Sequence, residues 1–213
     1  MAKVVSVNVG PVAPFRAGRA TRSAIVKRSV SGPVAVQGVN LEGDEQADRD
    51  HHGGPDQAVY AYARESYAWW ERELGRALAP GLFGENLTTE GLDVDGAVIG
   101  ERWAIGGAVL EVTRPRIPCL KLAKRMDDIG FVKRFAESRR PGAYLRIVAA
   151  GTLQAGDEVT VVRRPEHGVT IPIVNEALLF DDELAPRLLA APELAAGVRS
   201  WAEDRRRRAV EGG

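Results

Sequence analysis

The stretch A-V-L-E-V-T-R-P-R-I-P-C-L-K, residues 108–121, determines the fold prediction for this chain. Apolar and polar side chains alternate over residues 108–113, a pattern that predicts a half-buried strand. Pro115 and Pro118 then fix φ and remove two backbone donors, which makes a stiff, non-helical connection. The sequence therefore predicts a strand followed by a rigid turn that carries Cys119.

Cys119 is the only cysteine in the chain, and four cations lie close to it in sequence: Arg114, Arg116, Lys121 and Lys124. Nearby cations favour the thiolate, which is the form that acts as a nucleophile and as a metal ligand. The alternative interpretation is a small buried hydrophobic side chain, the usual fate of a free cysteine. The rigid turn and the cluster of cations favour a functional cysteine.

Composition indicates an ordinary globular protein, with 213 residues, 45% hydrophobic and 27% charged. The net charge of +0 gives no overall attraction to nucleic acid, so no nucleic-acid partner is expected. One cysteine excludes an internal disulfide, which fits a reducing compartment. The sequence shows no signal-peptide pattern and no apolar run long enough for a membrane helix. We therefore expect a cytoplasmic protein without a membrane partner.

Short strands separated by turn residues are predicted along most of the chain, and one longer helix is predicted over residues 64–78. The predicted strands cover residues 3–9, 23–27, 33–39, 58–62, 97–99, 102–105, 108–113, 144–148 and 158–162. A further helix is predicted to begin at Asp127 or Asp128. This spacing favours a mainly β fold, a barrel or a sandwich, over a parallel α/β sheet.

Residues 43–60 form a polar segment that contains two histidines and several aspartates: Asp44, Asp48, Asp50, His51, His52 and Asp56. A zinc site is one interpretation, but the adjacent histidines do not have the usual ligand spacing. A loop ordered by aspartate side chains that accept backbone N–H bonds is favoured instead. Such a loop beside a strand can also line a pocket for a polar ligand.

Residues 81–88 place two glycines around an aromatic residue, followed by Glu85 and Asn86 before a strand. Glycine lets the backbone approach another group closely. Glu85 and Asn86 are therefore either pocket groups or turn formers, and the residues alone leave both open.

The composition changes near Arg163, and three short helices are predicted between Thr170 and about Arg208. We accordingly predict two domains, a β domain over residues 1–165 and a three-helix domain over residues 166–213. Arg205–Arg208 resembles a nucleic-acid tail, but cations at a helix C-terminus with acidic neighbours are better explained as a solvated helix end.

Several stretches together resemble the MOSC family, the molybdenum-cofactor sulfurase C-terminal domain, in its bacterial branch linked to resistance to 6-hydroxylaminopurine. They are K-R-S-V-S-G-P-V (27–34), G-D-E-Q-A-D (43–48), H-G-G-P-D (52–56), A-V-Y (58–60), G-E-N-L-T (84–88) and P-R-I-P-C-L-K (115–121). The tail from His167 is similar to the small three-helix domain of that branch. The chain departs from the branch at Gln57, where a basic residue is usual.

The resemblance implies a twisted, mostly antiparallel β-barrel that binds molybdenum cofactor, a pyranopterin with a dithiolene and a phosphate. It implies reduction of N-hydroxylated bases and related N-oxygenated compounds, with Cys119 as the protein ligand to molybdenum. A soft thiolate suits such a coordination sphere. The residues assigned to the anionic cofactor are Lys27, Arg28, Asn86, Arg116 and Lys121. Proton delivery to the departing hydroxyl is assigned to His52, Asp56 and Glu85.

Two other functions remain open from the residues. Cys119 is the nucleophile of a thiol hydrolase in the first, with His52 and Asn86. In the second it carries a persulfide, and the chain is a sulfur or cofactor carrier. For the reductase, we expect a separate electron-donor reductase as partner, because the chain has neither a C-x-x-C pair nor a dinucleotide-binding glycine motif in the required context. The sequence leaves a homodimer open.

Overall fold

The computed structural model describes residues 1–18, 20–47 and 53–211, and the strands dominate this part of the chain. They are Lys3–Val9 (β1), Ala13–Ala17 (β2), Ala20–Ser23 (β3), Arg28–Val30 (β4), Val34–Gln37 (β5), Asn40–Leu41 (β6), Val59–Ala63 (β7), Leu87–Glu90 (β8), Arg102–Ile105 (β9), Ala108–Pro115 (β10), Ala143–Ala149 (β11), Gly151–Leu153 (β12) and Val159–Arg163 (β13). The helices are Arg64–Leu74 (α1), Leu120–Met126 (α2), Phe131–Glu137 (α3), Ile171–Leu179 (α4), Ala185–Leu188 (α5) and Ala196–Glu211 (α6). The prediction of a mainly β protein with helices is confirmed.

One large mixed sheet forms the body of the protein, with the strand order β13-β9-β10-β11-β7-β8-β1-β4. Every neighbouring pair in it is antiparallel except β7 and β8, which run parallel. A three-stranded sheet, β12-β5-β6, and the β2–β3 hairpin complete the strands. The predicted mostly antiparallel arrangement is therefore observed.

The large sheet curls toward a barrel but does not close into one along the described residues. At the start of β1, the Val4 N–H donates to the Asp157 carbonyl at 2.9 Å, and the Gly156 N–H donates to the Val4 carbonyl at 2.8 Å. Lys3 pairs with Glu158 as an isolated bridge beside them. These contacts join β1 to the turn before β13, but they do not extend into a continuous strand ladder.

Two differences from the predicted helices have simple physical causes. α1 ends at Leu74 rather than Leu78, because Gly75 adopts a left-handed conformation with φ of 64° and closes the helix. α2 begins directly after Cys119, where the sequence analysis predicted no helix. The prolines keep the chain non-helical only through Cys119, and a proline just before a helix start does not prevent the helix from forming.

The sheet and the C-terminal helices share one hydrophobic core. Val7 and Leu110 of the sheet belong to the same buried cluster as Ile171 and Val174 of α4 and Val198 of α6. The proposed division at residue 165 therefore falls within a continuous core and stays a prediction. Among the residues described, no helix is both long enough and apolar enough to span a membrane.

A second buried cluster is mainly aromatic and lies beneath the helices α1, α2 and α3. Its largest members are Tyr60, Tyr62, Tyr67, Trp70, Phe83, Phe131 and Phe135. Tyr60 and Tyr62 come from β7, so this cluster packs on the sheet. The partly buried Cys119 packs against it.

Candidate functional site

One cavity collects most of the polar residues that the sequence analysis selected. It contains about 670 Å³ of empty space, including its open mouth. Its lining includes Lys27, Asp44, Gln46, Gln57, Tyr60, Phe83, Asn86, Arg116, Cys119, Lys121 and Tyr144. The cavity therefore forms where the turn after β10 faces the segments before β4, before β7 and before β8.

Cys119 holds the position that the prolines predict, an extended residue between β10 and α2. Its backbone has φ of −145° and ψ of 166°, and its carbonyl accepts the N–H groups of Leu122 at 3.0 Å and Ala123 at 3.2 Å. The thiol is free and partly buried. The carbonyl hydrogen bonds and Pro118 fix the backbone, so the sulfur is held at the cavity wall.

Arg116 is a buried cation, 5% exposed, in the lining of the cavity. Its guanidinium carbon lies 5.7 Å from the ring centre of Tyr60 and 5.4 Å from that of Phe135. Within the described part of the chain it has no carboxylate partner, and its Nη1 makes no hydrogen bond. Burial alone lowers the pKa of Arg116, but the electrostatic influence of Cys119 and Tyr60 outweighs it and raises the pKa. Arg116 is therefore a fixed positive charge that offers a free donor.

Lys27 and Asp44 form a buried ion pair, with 8% and 3% of their side chains exposed. Asp44 also accepts the Gly10 N–H at 2.9 Å through Oδ1 and the Asn86 amide at 2.9 Å through Oδ2. Asn86 Oδ1 in turn accepts the Tyr60 N–H at 3.0 Å. Burial lowers the pKa of Lys27, and the neighbouring Asp44 opposes that change. This satisfied network makes one wall of the cavity rigid.

Glu85 lies behind this wall and does not line the cavity. Its Oε1 accepts hydrogen bonds from the Tyr67 hydroxyl at 2.5 Å, the Gly81 N–H at 2.6 Å and the Thr88 hydroxyl at 2.9 Å. Burial raises the pKa of Glu85, against the opposing effect of these hydrogen bonds. Its carboxyl group therefore organises the turn at residues 81–85 instead of facing the cavity.

Three other predicted site residues, Asp56, Arg28 and His52, do not join this group. Asp56 pairs with Arg146 of β11 at 2.9 Å and accepts the N–H of Ala196, at the start of α6, at 2.7 Å. Arg28 lies on the edge strand β4 with an exposed side chain. His51 and His52 lie outside the described residues. The cavity thus brings together five of the predicted residues: Lys27, Asn86, Arg116, Cys119 and Lys121.

Several lining residues were not identified as site residues from the sequence. Tyr60 and Tyr144 face each other across β7 and β11 in the cavity lining, with ring centres 5.0 Å apart and ring planes tilted by 35°. Gln46 donates to the carbonyls of Val39 at 3.0 Å and Gln57 at 3.2 Å. Tyrosines on a strand are indistinguishable from core residues in a single sequence, whereas Gln46 belongs to the G-D-E-Q-A-D stretch and was overlooked there.

The described residues contain no group of three or more histidine, cysteine, aspartate or glutamate side chains that could hold a metal ion. The only sulfur ligand in the cavity is Cys119. A metal at this place would therefore take a single thiolate from the protein and its other ligands from elsewhere.

The chain belongs to the MOSC domain family, whose profile matches residues 48–160. It is 34% identical to the uncharacterized protein YflK of Bacillus subtilis, over 93% of this chain and 90% of YflK. It is also 34% identical to the protein YiiM of Escherichia coli, over 98% of this chain and 93% of YiiM.

A longer fungal protein and a solved structure extend this comparison. A Gibberella moniliformis protein named "Reductase" is 32% identical over 76% of this chain, and the match spans 29% of that protein. The crystal structure of YiiM from Geobacillus stearothermophilus superposes with a TM-score of 0.80 at 28% identity, covering 96% of this chain and 99% of that one.

Proposed function

We propose that this chain binds molybdenum cofactor and reduces N-hydroxylated bases and related N-oxygenated compounds. The observation that carries the proposal is the placement of the lone thiol, Cys119, in the same cavity as the buried, unpaired Arg116. The fungal relative named "Reductase" supports a redox role at a coarser level.

The residues present fit an anionic cofactor that brings its own sulfur ligands. Arg116 Nη1 is a buried donor without a partner among the described residues, and such a group costs free energy unless a ligand accepts its hydrogen bond. Lys121 adds a second cation, partly exposed, in the same cavity. Together they suit a phosphate or another anion, for which the planar guanidinium of arginine is well shaped.

Cys119 would bind the metal through its thiolate sulfur, a soft ligand suited to a sulfur-rich sphere. When bound, the molybdenum cofactor supplies the two electrons that the reduction of an N–OH group to N–H consumes. The neighbouring rings of Tyr60 and Tyr144 would provide an apolar surface that excludes water from part of the cavity.

Conversion of N–OH to N–H with release of water takes up two protons as well as two electrons. Of the groups that line the cavity, Lys27 is a proton carrier whose pKa is lowered, chiefly by burial. A lowered pKa makes the Lys27 ammonium a better proton donor, closer to the optimum for general acid catalysis. Glu85, which was predicted from the sequence to have this role, has its carboxyl group behind the wall.

The test is expression of the full chain with molybdate, followed by elemental analysis and pterin fluorescence of the purified protein. We expect bound molybdenum in the wild type, near-complete loss in Cys119→Ser, and retention in the control Lys124→Met. Lys124 is an exposed cation on α2 that does not line the cavity. Reduction of an N-hydroxylated base by the loaded protein with reduced viologen completes the test.

Two outcomes would replace this proposal. An added sulfur atom on Cys119, found by mass spectrometry in protein without molybdenum, would indicate a persulfide carrier. Ester hydrolysis by metal-free protein that iodoacetamide abolishes would indicate a thiol hydrolase. Equal molybdenum content in the wild type and in Cys119→Ser would remove Cys119 from the metal site.

A further inference from the structure

Asp56 connects the segment that lines the cavity to the C-terminal helices. Its Oδ2 accepts the N–H of Ala196, the first residue of α6, at 2.7 Å. Its Oδ1 pairs with Arg146 Nη2 at 2.9 Å. The next two residues along the chain, Gln57 and Ala58, line the cavity. The anchor on the helices and the cavity lining are therefore adjacent in the chain.

Arg146 binds both sides of this connection. Its Nη2 also donates to the carbonyl of Glu193 at 2.8 Å, just before α6. Its Nη1 lies 3.5 Å from Glu111 Oε1 on β10, and the Glu111 side chain is only 4% exposed. One guanidinium thus ties Asp56 and the start of the tail to a buried carboxylate of the sheet.

The backbone around Asp56 is held from the other side as well. The Thr113 hydroxyl lies 2.6 Å from the Asp56 carbonyl oxygen and can donate to it. Gln46, in the cavity wall, accepts the Gly54 N–H at 2.8 Å and donates to the Gln57 carbonyl at 3.2 Å. Residues 53–58 are consequently clamped between the cavity wall and the C-terminal helices.

We infer that Asp56 is a positioning residue, through which the C-terminal helices set the position of residues 53–58 and thereby the affinity of the cavity for its ligand. The identity of the ligand rests on the proposed function, but the mechanical connection does not. Coupling between two sites is reciprocal, so a ligand in the cavity stabilises the start of α6 by the same factor.

The first measurement is hydrogen exchange on the full chain without ligand. In Asp56→Ala, we expect the backbone amides of residues 53–58 to exchange roughly ten-fold faster, because a charge-assisted anchor on that segment is lost. Asp56→Asn keeps an oxygen that can accept the Ala196 N–H but loses the charge that pairs with Arg146. We expect an intermediate effect in that variant.

Glu71→Ala is the matched control. Glu71 pairs with Arg64 at 2.9 Å and accepts the Leu78 N–H at 3.0 Å, the same two kinds of contact that Asp56 makes. None of these three residues lines the cavity. A comparable loss of overall stability is expected in both variants, measured by the unfolding midpoint. Faster exchange of residues 53–58 is expected only in Asp56→Ala.

The second measurement is the affinity for a phosphorylated hydroxymethylpterin, followed by its fluorescence. We expect Kd to rise about ten-fold in Asp56→Ala and to change less than about two-fold in Glu71→Ala. Failure of the wild type to bind this probe counts against the proposed function. The positioning role of Asp56 is then tested by the hydrogen-exchange experiment alone.

Unchanged exchange of residues 53–58 in Asp56→Ala, or an equal increase in Glu71→Ala, would overturn the inference. If Asp56→Ala does not fold, the variants Asp56→Asn and Arg146→Lys are measured instead. Each of them keeps a hydrogen-bonding side chain at the substituted position. Exchange at wild-type rates in both of these variants would likewise overturn it.

Discussion

Arg116 and Cys119 stand three residues apart on one proline-containing connection, and both line the same cavity. Arg116 is 5% exposed and stacks over Tyr60 and Phe135 instead of pairing with a carboxylate of the described chain. A buried cation without a counter-ion is unfavourable in the free protein. An anionic ligand that also contacts Cys119 would supply the missing charge.

The first prediction concerns the shape of this cation. Arg116→Lys keeps the charge but loses the planar group that stacks on Tyr60 and offers paired donors. We expect Arg116→Lys to bind phosphorylated hydroxymethylpterin about 10-fold more weakly, and Arg116→Met about 100-fold more weakly. Titration by pterin fluorescence measures both, and Lys124→Met serves as the control. Wild-type affinity in Arg116→Met would place the anion elsewhere.

The second prediction concerns the stability that the buried ion pair of Lys27 and Asp44 contributes. Removing one partner of a buried ion pair leaves the other charge unpaired, which costs about 3–5 kcal/mol. We expect Lys27→Met to lower the free energy of unfolding by about this amount, because Asp44 stays buried. The double variant Lys27→Met with Asp44→Asn is expected to recover part of the loss. Denaturant unfolding of the wild type and of these two variants checks this, and no recovery in the double variant would contradict it.

The third prediction uses the raised pKa of Glu85. Because burial raises the pKa in the folded state above the unfolded value of about 4.3, the folded protein binds the proton more tightly. The stabilisation is complete below the unfolded pKa and is lost as pH rises through the folded pKa. Glu85→Gln, which cannot ionise, is therefore expected to gain stability relative to the wild type as pH rises above about 4.

Unfolding midpoints of Glu85→Gln and the wild type between pH 4 and 8 measure this difference. Glu90→Gln is a control, since its carboxyl group is exposed in an ion pair with Lys3. A constant difference between Glu85→Gln and the wild type over this range would show that Glu85 does not titrate as described.

The sequence predicted the element that positions the site better than it predicted the full set of site residues. The alternation over residues 108–113 and the prolines located β10 and the extended Cys119 correctly. The motif containing Asn86 placed that residue in the cavity. Glu85, its direct neighbour, does not line the cavity, because its carboxylate is bonded to Tyr67, Gly81 and Thr88 instead.

Long-range contacts account for the features that the sequence did not predict. Asp56 was assigned to proton delivery as one of the available polar groups, but its partner Ala196 is 140 residues away in the chain. The strand predicted at residues 97–99 is only an isolated bridge between Val98 and Thr170. Neither contact leaves a local pattern in one sequence, since each depends on how the C-terminal helices pack on the sheet.

The fourth prediction follows from the shared core of the sheet and the C-terminal helices. Truncation after Arg164 removes Ile171, Val174 and Val198, which belong to the same buried cluster as Val7 and Leu110 of the sheet. Burial of a large apolar side chain contributes about 1.5–3 kcal/mol, so the loss of several exceeds the stability of a typical domain. We expect the truncated chain to lack a cooperative thermal transition in calorimetry. A cooperative transition near that of the full chain would show that residues 1–164 fold independently.

The last prediction concerns the source of electrons, and it rests on the proposed reductase function. Reduction of N–OH consumes two electrons per turnover, and this chain has one cysteine and no dinucleotide-binding glycine motif of its own. Purified, cofactor-loaded protein is therefore expected to give no turnover with NADH or NADPH alone, and reduced viologen is expected to restore it.

The exposed Lys124 and the partly exposed Lys121 lie close to Cys119 in the sequence, so a protein donor should dock through an acidic surface. The rate with such a donor should fall as salt rises, whereas the rate with the cationic viologen should not. Lys124→Glu should lower the donor-driven rate and leave the viologen rate unchanged. Sustained NADPH-driven turnover by the purified chain would contradict the requirement for a separate donor.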